Sequence, residues 1–218
     1  MAYSITLVIC IGIPIVGLFL SMKYQMSKIF LFGVLSFLVS QLLIRLPLIR
    51  FIIANSDSIK HWVENNRLSY LFVLSFTAGL FEETSRWIFL KRTNKQSILK
   101  TGFLFGLGHG GIEALILAGL PSIISSNQLL EYGLISWERL VAIGLHIALS
   151  MIVYYGVLNK EKRFWLITIG LHCVANFITV IVATRGYYVW AEIIFTCVTL
   201  LVGIYATYLI RKGRKIYE

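Results

Sequence analysis

Charge is scarce in this chain. Asp, Glu, Lys and Arg make up only 14% of its 218 residues, and mean hydropathy is +0.81. Soluble globular domains carry roughly 25% charged residues, so an ordinary soluble domain is excluded. Cysteine is scarce too. Cys10, Cys173 and Cys197 all fall in apolar runs without a pairing spacing, which excludes a disulfide framework and leaves them as small core hydrophobes. Three prolines leave few places where a helix must break. There is no low-complexity segment, no internal repeat and no polar stretch long enough for a separate soluble domain. No Ser–His–Asp or Cys–His arrangement is equally well placed: Cys173 adjoins His172 but points ~100° away on a helix.

What the chain has is apolar length. Residues 3–22, 29–48, 68–90, 101–120, 139–158, 164–183 and 190–210 each approach the ~20 residues needed to cross a bilayer. The expected fold is an all-α, polytopic membrane helix bundle of about seven transmembrane helices. It forms a single integral membrane domain over residues 1–218, in which spans 29–183 carry the site. The first stretch has no basic region before it and no small-residue cleavage site after it, so it reads as a retained span. Around Arg45, Pro47 and Arg50 the second span either ends or gives way to a surface helix. The polar segment 55–67, NSDSIKHWVENNR, lies outside the hydrocarbon.

Basic residues set the expected orientation. Lys23, Lys28, Lys91, Arg92, Lys95, Lys100, Lys160, Lys162, Arg163, Arg211, Lys212, Arg214 and Lys215 flank one side, 13 of the 20 Lys and Arg. Arg45, Arg50, Lys60, Arg67, Arg139 and Arg185 lie on the other, and Arg86 is inside a span. The asymmetry predicts an external amino terminus and a cytoplasmic carboxyl terminus. The net charge of +10 is then topological, and no nucleic-acid partner is expected. Trp62, Trp87, Trp137, Trp165 and Trp190 fall near span ends, as an aromatic belt does. Basic loops and short connections fit a prokaryotic plasma membrane.

Against this background, ionisable residues inside spans stand out, because each costs at least ~2.5–3.5 kcal/mol to insert. They are Glu82, Glu83 and Arg86, His109 and Glu113, His146, and His172, which Asn176 follows one turn later. Glu82 lies nine residues before Lys91, His109 nine after Lys100 and His172 nine after Arg163, so all three sit ~13 Å inside the basic boundary. Glu113, His146 and Asn176 fall one turn deeper. His109 and Glu113 share a face at i,i+4, as do His172 and Asn176. Gly102, Gly106 and Gly110 give the helix of His109 a small-residue face that lets neighbours approach closely. Arg86 is expected to pair with a glutamate while reaching toward the interface. Adjacent positions are ~100° apart, so the spacing leaves open whether Glu82 or Glu83 faces the site. His61 reads as solvated and Glu192 as interfacial.

Two chemistries suit the set. His109, His146 and His172 with a carboxylate can hold a metal such as zinc with one open position. Alternatively, a glutamate activates water without metal while a His–Asn pair stabilises the oxyanion. Glu113 and His146 then act as orienting groups or as direct ligands. Either route hydrolyses an amide inside the membrane, with a peptide or membrane-protein substrate arriving from the basic side or laterally. An ion- or proton-coupled transporter or binding protein is the alternative, but no inverted repeat supports it. Haem on His109 and His172 is opposed by the glutamates clustered at the same depth.

The motifs also carry a resemblance. Glu82-Glu83-Thr84-Ser85-Arg86 is similar to the EExxR-type motif of intramembrane proteases in the wider group of CAAX-processing and bacteriocin-processing (CPBP) enzymes and PrsW enzymes. Phe105 and His109 fit their FxxxH motif, and His172 and Asn176 their HxxxN motif. The stretch GHGGIE most resembles the YhfC-type branch of intramembrane metalloproteases. The resemblance implies Glu82 as general base assisted by His109, His172 and Asn176 as oxyanion stabilisers, and Glu83 and Arg86 as braces. The CAAX-processing enzymes usually separate the glutamate pair from the arginine by three residues; here two, Thr84 and Ser85, intervene.

The charge asymmetry makes a prediction. A reporter fused at the carboxyl terminus should be cytoplasmic and one inserted in the 121–138 loop external. Finding both on one side would contradict the orientation.

Overall fold

The computed structural model describes residues 2–94, 97–124 and 131–217, and every element among them is a helix. In chain order these are α1 (Tyr3–Lys23), α2 (Ser27–Ala54), α3 (Asp57–Asn65), α4 (Arg67–Leu90), α5 (Ile98–Ile124), α6 (Glu131–Leu158), α7 (Arg163–Ala183) and α8 (Tyr188–Tyr217). Six of them, α1, α2, α5, α6, α7 and α8, are long and apolar enough to cross a membrane. At 24 residues α4 is also long enough, ~36 Å. Glu82, Glu83 and Arg86 are what make it more polar than the others. The fold is therefore the expected all-helical, multi-pass membrane bundle.

Two elements differ from the sequence expectation. The helix α2 does not stop near Arg45 but continues through Pro47 to Ala54. The polar stretch after it is itself partly helical: the Ser56 hydroxyl accepts the Ile59 N–H at 3.3 Å and caps α3. The continuity through proline has a local cause. Pro14, Pro47 and Pro121 each lie two residues beyond a π-helical turn, at Val8–Gly12, Leu38–Arg45 and Leu115–Gly119. A proline lacks the N–H its helix needs and crowds the carbonyl one turn back. Widening that turn relieves the clash without ending the helix.

The long helices alternate in direction, so Lys23, Lys28, Lys91, Arg92, Lys100, Lys162, Arg163 and Arg211 collect at one end of the bundle, called the basic face below. Lys95 and residues 125–130 of the 121–138 loop lie outside the described residues. Trp87 departs from the aromatic-belt expectation because it packs inside the bundle. Cys10 and Cys173 are buried free thiols, while Cys197 is exposed on α8.

Close backbone contact sets the helix spacing. A Cβ on Gly106 would sit 2.4 Å from Ile147 Cα on α6, and one on Gly33 of α2 would sit 2.1 Å from the Phe105 carbonyl oxygen. On α4, Gly79 backs onto the Ile169 carbonyl of α7, 2.9 Å from where its Cβ would be. The stripe Gly102–Gly106–Gly110 therefore does what the sequence suggested, pressing α5 against α6. Around it Leu104, Phe105, Leu145, Leu149 and Ile152 form a closed core. Gly106→Val should lower the thermal midpoint of the detergent-solubilised protein by an amount equivalent to ~1–3 kcal/mol or more. An unchanged midpoint would contradict this packing.

Candidate functional site

Four helices deliver the polar residues to one level. The face of α4 carries Glu82, and the face one residue on carries Glu83, 5% and 0% exposed. Glu82 Oε2 receives His109 Nε2 from α5 at 2.9 Å. Glu83 Oε1 lies 2.8 Å from His172 Nδ1 on α7, a contact allowed by the close approach at Gly79. His172 Nε2 then faces Glu82 Oε2 at 3.9 Å. Glu82 thus points between His109 and His172, and Glu83 contacts His172 from behind.

Arg86 completes the brace but does not reach toward the interface as expected. It is fully buried, with Nε 3.4 Å from Glu83 Oε2. Nη1 donates to the His146 carbonyl at 2.8 Å and to the Ser150 hydroxyl at 3.1 Å, both on α6. Nη2 lies 2.9 Å from His146 Nδ1. Since a guanidinium only donates, this nitrogen accepts, and the ring proton of neutral His146 sits on Nε2. His146 Nε2 in turn faces Glu113 Oε2 at 2.6 Å, off the line of a hydrogen bond. Arg139 donates to Glu113 Oε1 at 3.1 Å and also pairs with Glu138. The rings of His109 and His146 are 4.6 Å apart, and those of His146 and His172 5.4 Å.

Two residues in contact with the candidate site escaped the sequence reading. Gln41 donates from Nε2 to Glu82 Oε1 at 2.5 Å, and Arg45 donates to Gln41 Oε1 at 2.7 Å. Arg45 is anchored in turn on Thr77 and on the Leu74 carbonyl of α4. Because the arginine can only donate, the carboxamide must present its NH₂ to Glu82. Both residues belong to the π-helical turn of α2, a kind of turn common at functional sites. The signal was present as a glutamine inside a span followed four residues later by an arginine. Arg45 and Pro47 together obscure it, since a basic residue and a proline mark a span end in sequence.

One ligand atom from each of Glu82, His109, Glu113 and His146 can be chosen so that all lie within 4.8 Å of one another. Carboxylate and imidazole donors of this number suit zinc. Glu82, His109 and Glu113 are the fitting ligands, His109 through Nε2 with its proton on the partnerless Nδ1. His146 belongs to the group by distance, but Arg86 holds its proton on the nitrogen a cation would need. His172, with Nδ1 on Glu83, lies just outside the group. Counted with neutral imidazoles, Glu82, Glu83, Glu113 and Glu138 face Arg45, Arg86 and Arg139, which leaves one negative charge for a cation to offset.

A cavity of about 750 Å³ adjoins Glu82 and is also lined by Asn176 and Glu192, so Glu192 faces this space as well as the helix end. Its direction is informative. Its walls are Leu71 and Ser75 before Glu82 on α4, Leu117 beyond Glu113 on α5, Ile135 before His146 on α6, and Thr179 and Ala183 beyond His172 on α7. Every one of these lies on the side away from the basic face. Toward the basic face, Trp87, Leu90, Tyr154 and Phe164 are buried and seal the site. The cavity thus extends away from the basic face, whereas the sequence reading has the substrate arriving from the basic side or laterally.

Fold and site together define a multi-pass membrane protein with a buried glutamate–histidine centre able to hold a metal ion. Comparison with known proteins agrees. A model of the YhfC intramembrane metalloprotease family matches residues 5–126 and 122–196, and the chain belongs to that family. It is 28% identical over 234 residues to the "Uncharacterized membrane protein YhfC" of Bacillus subtilis (strain 168), covering 90% of this chain and 88% of that one. No solved structure matches.

The buried pair yields a prediction. Arg86→Met should destabilise the protein by ~3–5 kcal/mol by stranding Glu83. Adding Glu83→Gln should recover at least ~1 kcal/mol of that loss in a double-mutant cycle on thermal midpoints. Strict additivity would contradict the pairing.

Proposed function

We propose that the protein is an intramembrane endopeptidase in which Glu82 activates the attacking water. The observation that carries this reading is Glu82 itself, a buried carboxylate at the floor of an open cavity with one oxygen held by Gln41 and the other between two imidazoles. Water beside Glu82 Oε2 gives up a proton to that oxygen as its own oxygen bonds to the scissile carbonyl carbon. The carbon–nitrogen bond then breaks as Glu82 returns the proton to the leaving amine. His172, fixed by Glu83, and Asn176, one turn along the cavity wall, are the groups positioned to donate to the oxyanion. His109 and Gln41 keep Glu82 in its orientation.

The residual negative charge of the cluster is offset either by an imidazolium at His172, the ring flanked by both glutamates, or by a bound metal. A zinc ion held by Glu82, His109 and Glu113 would polarise the carbonyl and acidify the water, Glu82 then serving as a ligand in place of the base. The cavity ends at a sealed floor, which suits a reaction site better than a path for ions.

The test combines a chemical and an elemental readout. New protein amino termini, mapped in membranes of cells expressing the wild type, should vanish with Glu82→Gln, while that variant still accumulates. Metal analysis of the purified protein should show stoichiometric metal that His109→Ala lowers, or none, in which case chelators leave cleavage intact. Identical termini in wild type and Glu82→Gln would end the protease reading.

A further inference from the structure

We propose that the scissile segment is presented from the outer side of the membrane, as the external end of a membrane-anchored polypeptide. This rests on the protease reading for what is cut and on the basic face being cytoplasmic for which side is outer.

The cavity fixes the direction of entry. Its lining continues from the glutamate–histidine layer toward the face opposite the basic ends on α4, α5, α6 and α7, with no exception. Ser75 lies seven residues from Glu82, ~10 Å along α4, and Ala183 eleven residues from His172, ~16 Å along α7. In the other direction Arg86 and Leu90 have no exposed surface and Tyr154 and Phe164 almost none. Among the described residues, a site ~13 Å from the basic face is therefore closed to that face and open to the far one.

The walls describe the occupant. Phe37, Leu71, Leu117, Ile135 and Val180 give mostly apolar contact, which fits the apolar residues at the end of a transmembrane segment. Thr179 and Asn176 stand among them, and an unwound backbone needs such partners for its peptide groups. On one flank the barrier to sideways entry is thin. Beyond the π-helical turn, Leu46–Ala54 of α2 has no buried residue, and Leu48, Phe51 and Ile52 are exposed. An anchored chain can reach the cavity past this unsupported segment without leaving the bilayer.

Thiol accessibility tests the route without needing a substrate. In a full-length background with Cys10, Cys173 and Cys197 replaced by serine or alanine, Ser75→Cys and Thr179→Cys place a thiol on two cavity walls. Thr168→Cys places one on α7 below His172, on the sealed side. A charged, membrane-impermeant methanethiosulfonate reagent is applied outside intact cells and, separately, to inside-out vesicles. Ser75→Cys and Thr179→Cys should react at least tenfold faster from outside, and Thr168→Cys should stay unreactive from both sides. Faster reaction from the cytoplasmic side, or none at either cavity position in folded protein, overturns the proposal, as does equal labelling of Thr168→Cys. Cleavage mapped by new amino termini is scored separately. Sided labelling with Glu82-independent termini would leave the route standing and remove the protease.

Discussion

A guanidinium with no exposed surface holds this structure together. Arg86 meets Glu83 on its own helix and the His146 carbonyl, the His146 ring and Ser150 on α6. Left uncompensated in a bilayer, such a charge would cost several kcal/mol. Its partners therefore have to be in place, and their placement fixes much else. Glu83 is turned toward His172, which links α7. His146 is fixed as an acceptor at Nδ1, so its other nitrogen faces Glu113 on α5. Four helices are thus registered at one depth by one side chain, while glycine contacts set how closely they stand.

A second positive arm works on Glu82. Arg45 holds Gln41, and Gln41 holds one carboxylate oxygen. Hydrogen bonds in series polarise one another in a low-dielectric setting, so the chain holds Glu82 in its orientation more firmly than either bond alone. The arm depends on the widened turn before Pro47, which keeps α2 helical past the site and brings Gln41 and Arg45 toward α4. The proline that obscured the end of this span in the sequence thus belongs to the machinery that holds Glu82.

Much of the site was legible because membrane helices obey few rules. Apolar length located the helices, and equal spacing of Glu82, His109 and His172 from their basic anchors placed them in one layer, where the structure also has them. The i,i+4 pairings chose the faces. Other features were out of reach for physical reasons. Distance from a helix end gives depth but not which direction is packed shut, so the sequence could not show toward which side the cavity extends. A long arginine near an interface can reach outward or inward, and the choice for Arg86 depends on carbonyls of α6 that only tertiary packing brings near. Trp87 was assigned to the interface by position alone, yet it closes the floor of the site.

The central claim is that water, activated by Glu82, cuts a peptide bond in this cavity. Its most direct test is isotopic. Reconstituted protein is given a substrate identified through its new amino terminus, in water enriched in ¹⁸O, and the product's new carboxyl terminus is examined by mass spectrometry. The account predicts one ¹⁸O atom incorporated by the wild type and no product from Glu82→Gln. Product formed without ¹⁸O, or formed equally by Glu82→Gln, would contradict it.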